Sequence, residues 1–171
     1  MTMPKGRKPS KQGLNRLRSC HKREMASSAE EQQEQKNKDI VHQFFEAFDR
    51  HDIEKMEQLV LSTNYSLHFP TMPLRDWNGH KQIIDTILKA LPDIHHDFEL
   101  MIAEGDKVAT RMRITATHKG ELQGIPPTGK KVSISASDFV TIINGKLVEH
   151  WVDTDQLGLM QQMGVIPSAS S

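Results

Sequence analysis

A chain of 171 residues, 36% apolar and 26% charged, is long enough for one domain with a single hydrophobic core and too polar to be fibrous. No apolar run approaches the roughly eighteen residues of a transmembrane helix, and a lone cysteine, Cys20, excludes both an internal disulfide framework and a thiolate metal site, so a reducing, cytoplasmic setting is expected. Twenty-two basic and twenty-two acidic side chains cancel, but eight Lys or Arg and one Glu stand in the first twenty-five residues, leaving an acidic body behind a basic start.

Residues 1–27 combine Pro, Gly, Lys and Arg with few apolar side chains, a composition that cannot offset the entropy of ordering, and read as a disordered arm. Arg16, Arg18, Lys22 and Arg23 would suit an anionic surface, but no aromatic is interleaved to stack on a base, so no nucleic-acid partner is expected. No apolar core of a secretory signal is present.

Ser28, with Glu31 three residues later as a capping box, opens the first expected helix. Its stripe of Ile40, Val41, Phe44, Phe45 and Phe48 belongs against a sheet. Asp52 caps a short second helix bearing Ile53, Met56, Leu59 and Val60. Tyr65 to Pro70 is extended, Pro73 and Trp77 fall in a loop, and a third helix carries Ile83, Ile84, Ile87, Leu88 and Leu91 until Pro92 ends it.

The period then changes to two. Phe98, Leu100 and Ile102 share one face of a strand, Glu104-Gly105-Asp106 turns the chain, and residues 108–118 set Met112, Ile114 and Ala116 against Arg111, Arg113, Thr115 and Thr117. Pro126 to Asp155 reads as a long hairpin around Asn144-Gly145, a dipeptide suited to positive φ. A two-residue loop places Asp138 opposite Trp151, and a three-residue loop places it opposite Val152; the sequence does not choose. Gln156 onward is a short apolar helix or lid with Leu157, Leu159, Met160 and Met163, and residues 168–171 are a loose tail. Helices followed by a meander give an α+β domain over residues 28–167, a curved, mostly antiparallel sheet around a long N-terminal helix, with a small-molecule pocket between them.

No HExxH, GxSxG, Walker or GxGxxG motif is present. His95-His96-Asp97 is a poor metal site, because neighbours on a strand diverge. What remains is carboxylate and imidazole chemistry on strands, with Asp138, Asp153, His68, His118 and His150 as candidates. Asp138 lies between Ala136 and Val140 on an apolar face, where a desolvated carboxylate could take a proton from a carbon acid or water; the competing reading is a solvated end of sheet, or a salt bridge to Arg111 or Arg113.

The run EGDKVATRMRITATHKGELQGIPPTGKKV, followed by INGKLVEHWVDTDQLGLMQQMG, resembles the SnoaL-like polyketide cyclases, or ester cyclases, of the cystatin-like α+β barrel superfamily, across roughly residues 37–167. The resemblance implies a conical α+β barrel with an internal pocket, a homo-oligomer using part of the sheet face, and cofactor-free intramolecular aldol chemistry. In that family a strand histidine and an aspartate directly after the tryptophan of EHW are the acid/base residues. Here those positions are Asp138 and Val152, so the chemistry requires Asp138 or the neighbouring Asp153 as base.

The candidate catalytic residues are therefore Asp138, Asp153 and His118, and the candidate substrate contacts are His68, Trp77, Arg113 and Trp151, with no metal or cofactor called for. By analogy with epoxide hydrolases of the same fold, Asp138 with Arg111 or Arg113 would activate water. Two functions stand open: an acid/base enzyme acting on a small hydrophobic carbonyl compound, or a binding or multimerising module that kept the pocket and lost the chemistry.

Overall fold

The structure, a computed structural model, describes the backbone of residues 11–70 and 72–167 and the side chains from residue 28 onward within them. The elements in order are α1 (Lys11–Asp49), α2 (Ile53–Leu59), β1 (Ser66–Phe69), β2 (Met72–Arg75), α3 (Trp77–Ala90), β3 (His95–Glu104), β4 (Lys107–Thr117), β5 (Lys131–Ile143), β6 (Lys146–Thr154) and α4 (Gln156–Met163). The chain divides into two units, Met1–Gln33 and Glu34–Ser171. In the first, the described backbone is helical throughout, so the helix already runs from Lys11 and passes through Ser28 without a cap. No proline follows Pro9 until well past the helix, and Lys, Arg, Gln, Glu and Ala are good helix formers, which outweighs the capping-box signal. The arm expected over residues 1–27 is thus helical from Lys11; residues 1–10 and the tail at 168–171 lie outside the described residues.

The second unit holds the sheet. Six strands run in the order β2-β1-β6-β5-β4-β3, antiparallel except where β1 meets β6. From the C-terminal part of α1, Val41, Phe44, Phe45 and Phe48 are buried, as their spacing predicts. Phe45 packs edge-on against Phe98 of β3, and Phe44 contacts Trp77 of α3. The buried Asn37 donates to the carbonyl of Gly105, and the Gly105 N–H donates to Glu34, so the β3–β4 turn is fastened to the helix.

Asp52 caps α2 through the Lys55 N–H, and Asp76 caps α3 through the Gly79 N–H. The segment expected as a loop is partly β2, an edge strand where Pro73 costs no ladder hydrogen bond, and Trp77 is the first residue of α3. Leu91 caps the end of α3 ahead of Pro92.

Two bulges decide what each face presents. Within β3, Phe98 pairs with Met112 but Leu100 pairs with Arg111. Phe98 therefore faces the core while Leu100 and Ile102 face out, each 54% exposed, and the single apolar face expected for these three is split. In the β5–β6 hairpin, Asn144 and Gly145 have φ of 51° and 74° and Ile143 pairs with Lys146, so the turn has two residues. Ile142 then pairs with Leu147 but Thr141 with Glu149, leaving Val148 as an extra residue. This bulge joins the short turn to the register expected of the longer one, with Asp138 opposite Val152.

Candidate active site

Between the inner face of the sheet, α1 and α3 lies a cavity of about 610 Å³. Its walls are mostly apolar: Phe44, Phe45 and Phe48 from α1, Ile83 and Ile87 from α3, Met112 and Ile114 from β4, Ile134 and Ala136 from β5, and Leu159 from α4. Alternation along the strands sends successive side chains to opposite faces, so residues 134, 136 and 138 of β5 enter the cavity while 137 and 139 leave it.

Asp138 is 2% exposed and lines this cavity. Its Oδ2 lies 3.1 Å from His150 Nε2, and its Oδ1 is buried with no hydrogen-bond partner among the described residues. His150 reaches the same face because the Val148 bulge puts it opposite Val140. Its Nδ1 lies 3.3 Å from the Tyr65 hydroxyl, which lies 2.7 Å from Nδ1 of His80. Four groups from β5, β6, the approach to β1 and α3 thus form one buried chain.

One pattern of protons satisfies every bond in this chain. His150 Nε2–H donates to Asp138, Tyr65 O–H donates to His150 Nδ1, and His80 Nδ1–H donates to the tyrosine oxygen. Burial, reinforced by the charge of Asp138, holds the Tyr65 hydroxyl well above its usual pKa, so it stays protonated and donates. Burial first, and next any positive charge taken up by His150, holds His80 well below the ordinary histidine value, so it is a neutral ring.

A second carboxylate–imidazole pair reaches the same cavity through its imidazole, His96. Asp49, the last residue of α1, accepts from His96 Nδ1 through Oδ1 at 2.5 Å, and its Oδ2 accepts from the His96 backbone N–H at 3.1 Å and from His95 Nδ1 at 2.8 Å. The adjacent histidines, expected to diverge, converge on one carboxylate placed at the end of the helix between them. Burial pushes the Asp49 pKa up, but the hydrogen bonds and charge of His96 together with the His95 bond outweigh it, and the group sits below its usual range.

The family model for SnoaL-like polyketide cyclases matches residues 38–163. The chain belongs to this family. No curated protein matches it. Among solved structures, AclR from Streptomyces galilaeus, a proposed hydroxylase, is 27% identical with a TM-score of 0.74, over 81% of this chain and 87% of its own. A proposed polyketide cyclase from Acidithiobacillus ferrooxidans is 31% identical with a TM-score of 0.67, over 76% and 95%. IdmH, a proposed polyketide cyclase from Streptomyces antibioticus, is 26% identical with a TM-score of 0.67, over 75% and 98%.

The SnoaL-like motifs in this chain build the fold more than the site. His118 of THKG is fully buried outside the cavity, and its Nδ1 accepts from the Thr128 backbone N–H and lies 3.0 Å from the Thr128 hydroxyl. With the His118 N–H donating to the Lys130 carbonyl, this clamps the PPTGK loop; the geometry is that of a strut, not of the catalytic group expected. Gly120 of the same motif lets its N–H and that of Lys119 reach the Ala90 carbonyl.

Of the seven residues given catalytic or substrate-binding roles from the sequence, only Asp138 lines the cavity, joined there by His150 from the wider set of strand candidates. Asp153 pairs with Ser137 on the outer face and is exposed, because an odd offset along β6 reverses its direction relative to Val152. Arg113 and Arg111 share that outer face and pair with Glu99, which removes both the salt bridge to Asp138 and the water-activating analogy. Trp151 is outward too, 48% exposed and stacked at 3.7 Å on His68, whose Nε2 also lies 3.3 Å from Glu149. Trp77 is buried in the core beside Phe44, Tyr65 and His80 rather than in the cavity wall. His150 was legible as a candidate; Tyr65, His80 and Asp49 carried no sequence signal, since only the folded register brings them against the cavity-lining His150 and His96.

Proposed function

We propose that the chain is a cofactor-independent acid/base enzyme that forms an enolate from a small hydrophobic carbonyl compound and closes a ring by intramolecular aldol addition. The observation that carries this reading is Asp138: a buried carboxylate in an apolar cavity, oriented through Oδ2 by His150, with Oδ1 unpartnered. A carboxylate so placed can take a proton from a carbon next to a carbonyl, and the wire through His150, Tyr65 and His80 fixes which oxygen is free. The polyketide cyclase assignments of similar chains favour this substrate class.

The reading needs the base role moved from the family's aspartate position at Val152 to Asp138. The two are register partners and both line the cavity, so the carboxylate crosses one strand without changing depth or face. A cytoplasmic setting and self-association through the apolar outer face of the sheet belong to the same reading.

The test uses a methyl β-ketoester whose chain ends in a phenyl ketone positioned to close a six-membered ring. Exchange of the methylene protons into deuterated water, followed by NMR above the uncatalysed rate, should fall by about 10²-fold or more in Asp138→Asn with the fold retained. Unchanged exchange in that variant would sink the assignment and leave the cavity as a binding site.

A further inference from the structure

The Asp49–His96 pair belongs to no step of the chemistry above, yet it has the form of a second proton-transfer device. His96 is 8% exposed, lines the cavity, and is held between the rings of Phe45 and Phe48 at 4.9 and 5.1 Å. Asp49 takes its Nδ1–H at 2.5 Å and its backbone N–H at 3.1 Å, which fixes both the tilt of the ring and the nitrogen that carries the hydrogen. Among the described residues no hydrogen bond is made to His96 Nε2, so that nitrogen remains for whatever occupies the cavity. The Phe45 ring stands 4.9 Å from the His96 ring and 6.0 Å from the His150 ring, so both imidazoles can meet one bound molecule.

We infer that His96, positioned by Asp49, is the general acid that protonates the oxygen formed on ring closure, opposite the Asp138 base. This rests on the function proposed above and assigns it a second catalytic residue. Asp138 Oδ1 takes the proton from the carbon between the two carbonyls of the β-ketoester. That carbon forms a bond to the remote ketone carbon, whose C=O electron pair moves onto its oxygen. The oxygen takes the Nε2 proton of His96, which is left as a neutral ring with Nδ1–H on Asp49. Return of the Asp138 proton to His96 through solvent restores the start. The product is an isomer of the substrate, so no oxidant or reductant is involved. The Asp49 carboxylate balances the charge of the His96 ring while Nε2 carries the proton, and an apolar cavity makes that balance worth more than it would be in water.

The same phenyl ketone probe separates the two halves, because methylene exchange reports deprotonation and product formation reports closure. Asp138→Asn should lose both. His96→Gln should keep measurable exchange while closure drops by about 10²-fold. Asp49→Asn, which leaves the ring in place but removes the anion, should lower closure about tenfold and move the alkaline limb of its pH profile, on which a general acid loses its proton, to lower pH, a change that mere loosening of the fold would not make. If His96→Gln fails to fold, the Asp49→Asn closure rate and pH profile decide. Closure at the wild-type rate in whichever variant folds, or parallel loss of exchange and closure, overturns the role of His96. A wild type that exchanges without closing overturns it and leaves the Asp138 base standing; a wild type that does neither overturns both.

Discussion

Asp138 and Val152 stand directly opposite each other on β5 and β6, both facing the cavity, with His150 two residues away on the same side. A substitution at one of these positions is thus a substitution in the immediate surroundings of the other, and their effects should not add. Asp138→His alone removes the carboxylate and should abolish exchange of the β-ketoester methylene. Combined with Val152→Asp, it installs the histidine and aspartate that the family resemblance implies at these two sites. The double variant should regain at least about tenfold of the activity lost in the single one. Exchange as low in the double variant as in Asp138→His would show that depth and face are not sufficient to exchange the roles of the two strands.

The neutral state of His80 makes a pH prediction with a definite sign. Its pKa in the folded protein lies well below the ordinary value, because the ring is buried next to Tyr65 and near His150. In the unfolded chain it returns to about 6.5. Between those values the unfolded chain binds a proton that the folded one does not, so this contribution is complete above the unfolded pKa and is lost as the pH falls below it. The slope approaches roughly 1.4 kcal/mol per pH unit for one proton. His80→Gln keeps a hydrogen-bonding group towards Tyr65 but cannot titrate. Urea unfolding at about pH 7.5, 6.5 and 5.5 should show the wild-type advantage over the variant shrinking with acidity. Parallel curves would mean that His80 does not enter the balance.

Gly120 tests how the family motif acts. A Cβ at this position would fall within contact of the Lys89 carbonyl oxygen and 2.9 Å from Ala90 Cα, both backbone atoms that cannot swing aside. Gly120→Ala should push the loop off the end of α3 and strain the two N–H bonds to the Ala90 carbonyl. The expected cost is about 1–3 kcal/mol, seen as a melting temperature lower by roughly 2–12 °C for a chain of this length. Activity per folded molecule should change much less than stability, since neither Gly120 nor His118 lines the cavity.

The helices and the meander were readable because burial imposes the periods of 3.6 and 2 on sequences that fold this way, and the phenylalanine stripe of α1 is where it was expected. The faces were less readable. A single extra residue at Glu99 turns Leu100 and Ile102 outward, and one at Val148 carries His150 and Val152 to the cavity. Such bulges have no compositional mark in β-branched runs, yet they decide which polar groups meet. Asp138 could be singled out from its apolar neighbours alone, whereas Tyr65, His80 and Asp49 come to the site from segments whose local sequence speaks only of capping, turning and helix ends.

The outward turn of these residues has its own consequence. Across the outer face, Ile102, Ala109, Phe139, Trp151 and His68 form one row of register partners spanning five strands. Phe139 is 57% exposed, and the neighbouring row adds Leu100. Monomers rarely present a contiguous apolar patch of this kind, and its flanking Arg111, Arg113 and Glu99 give it a polar edge. Phe139→Lys sets a charge in the middle of the row without touching the core. Light scattering at about 50 µM should report a multiple of the 19.4 kDa chain mass for the wild type and a shift towards that mass for the variant, with little change in melting temperature beyond the loss of association. A wild type that stays at the chain mass at that concentration would remove the outer face as a self-association surface.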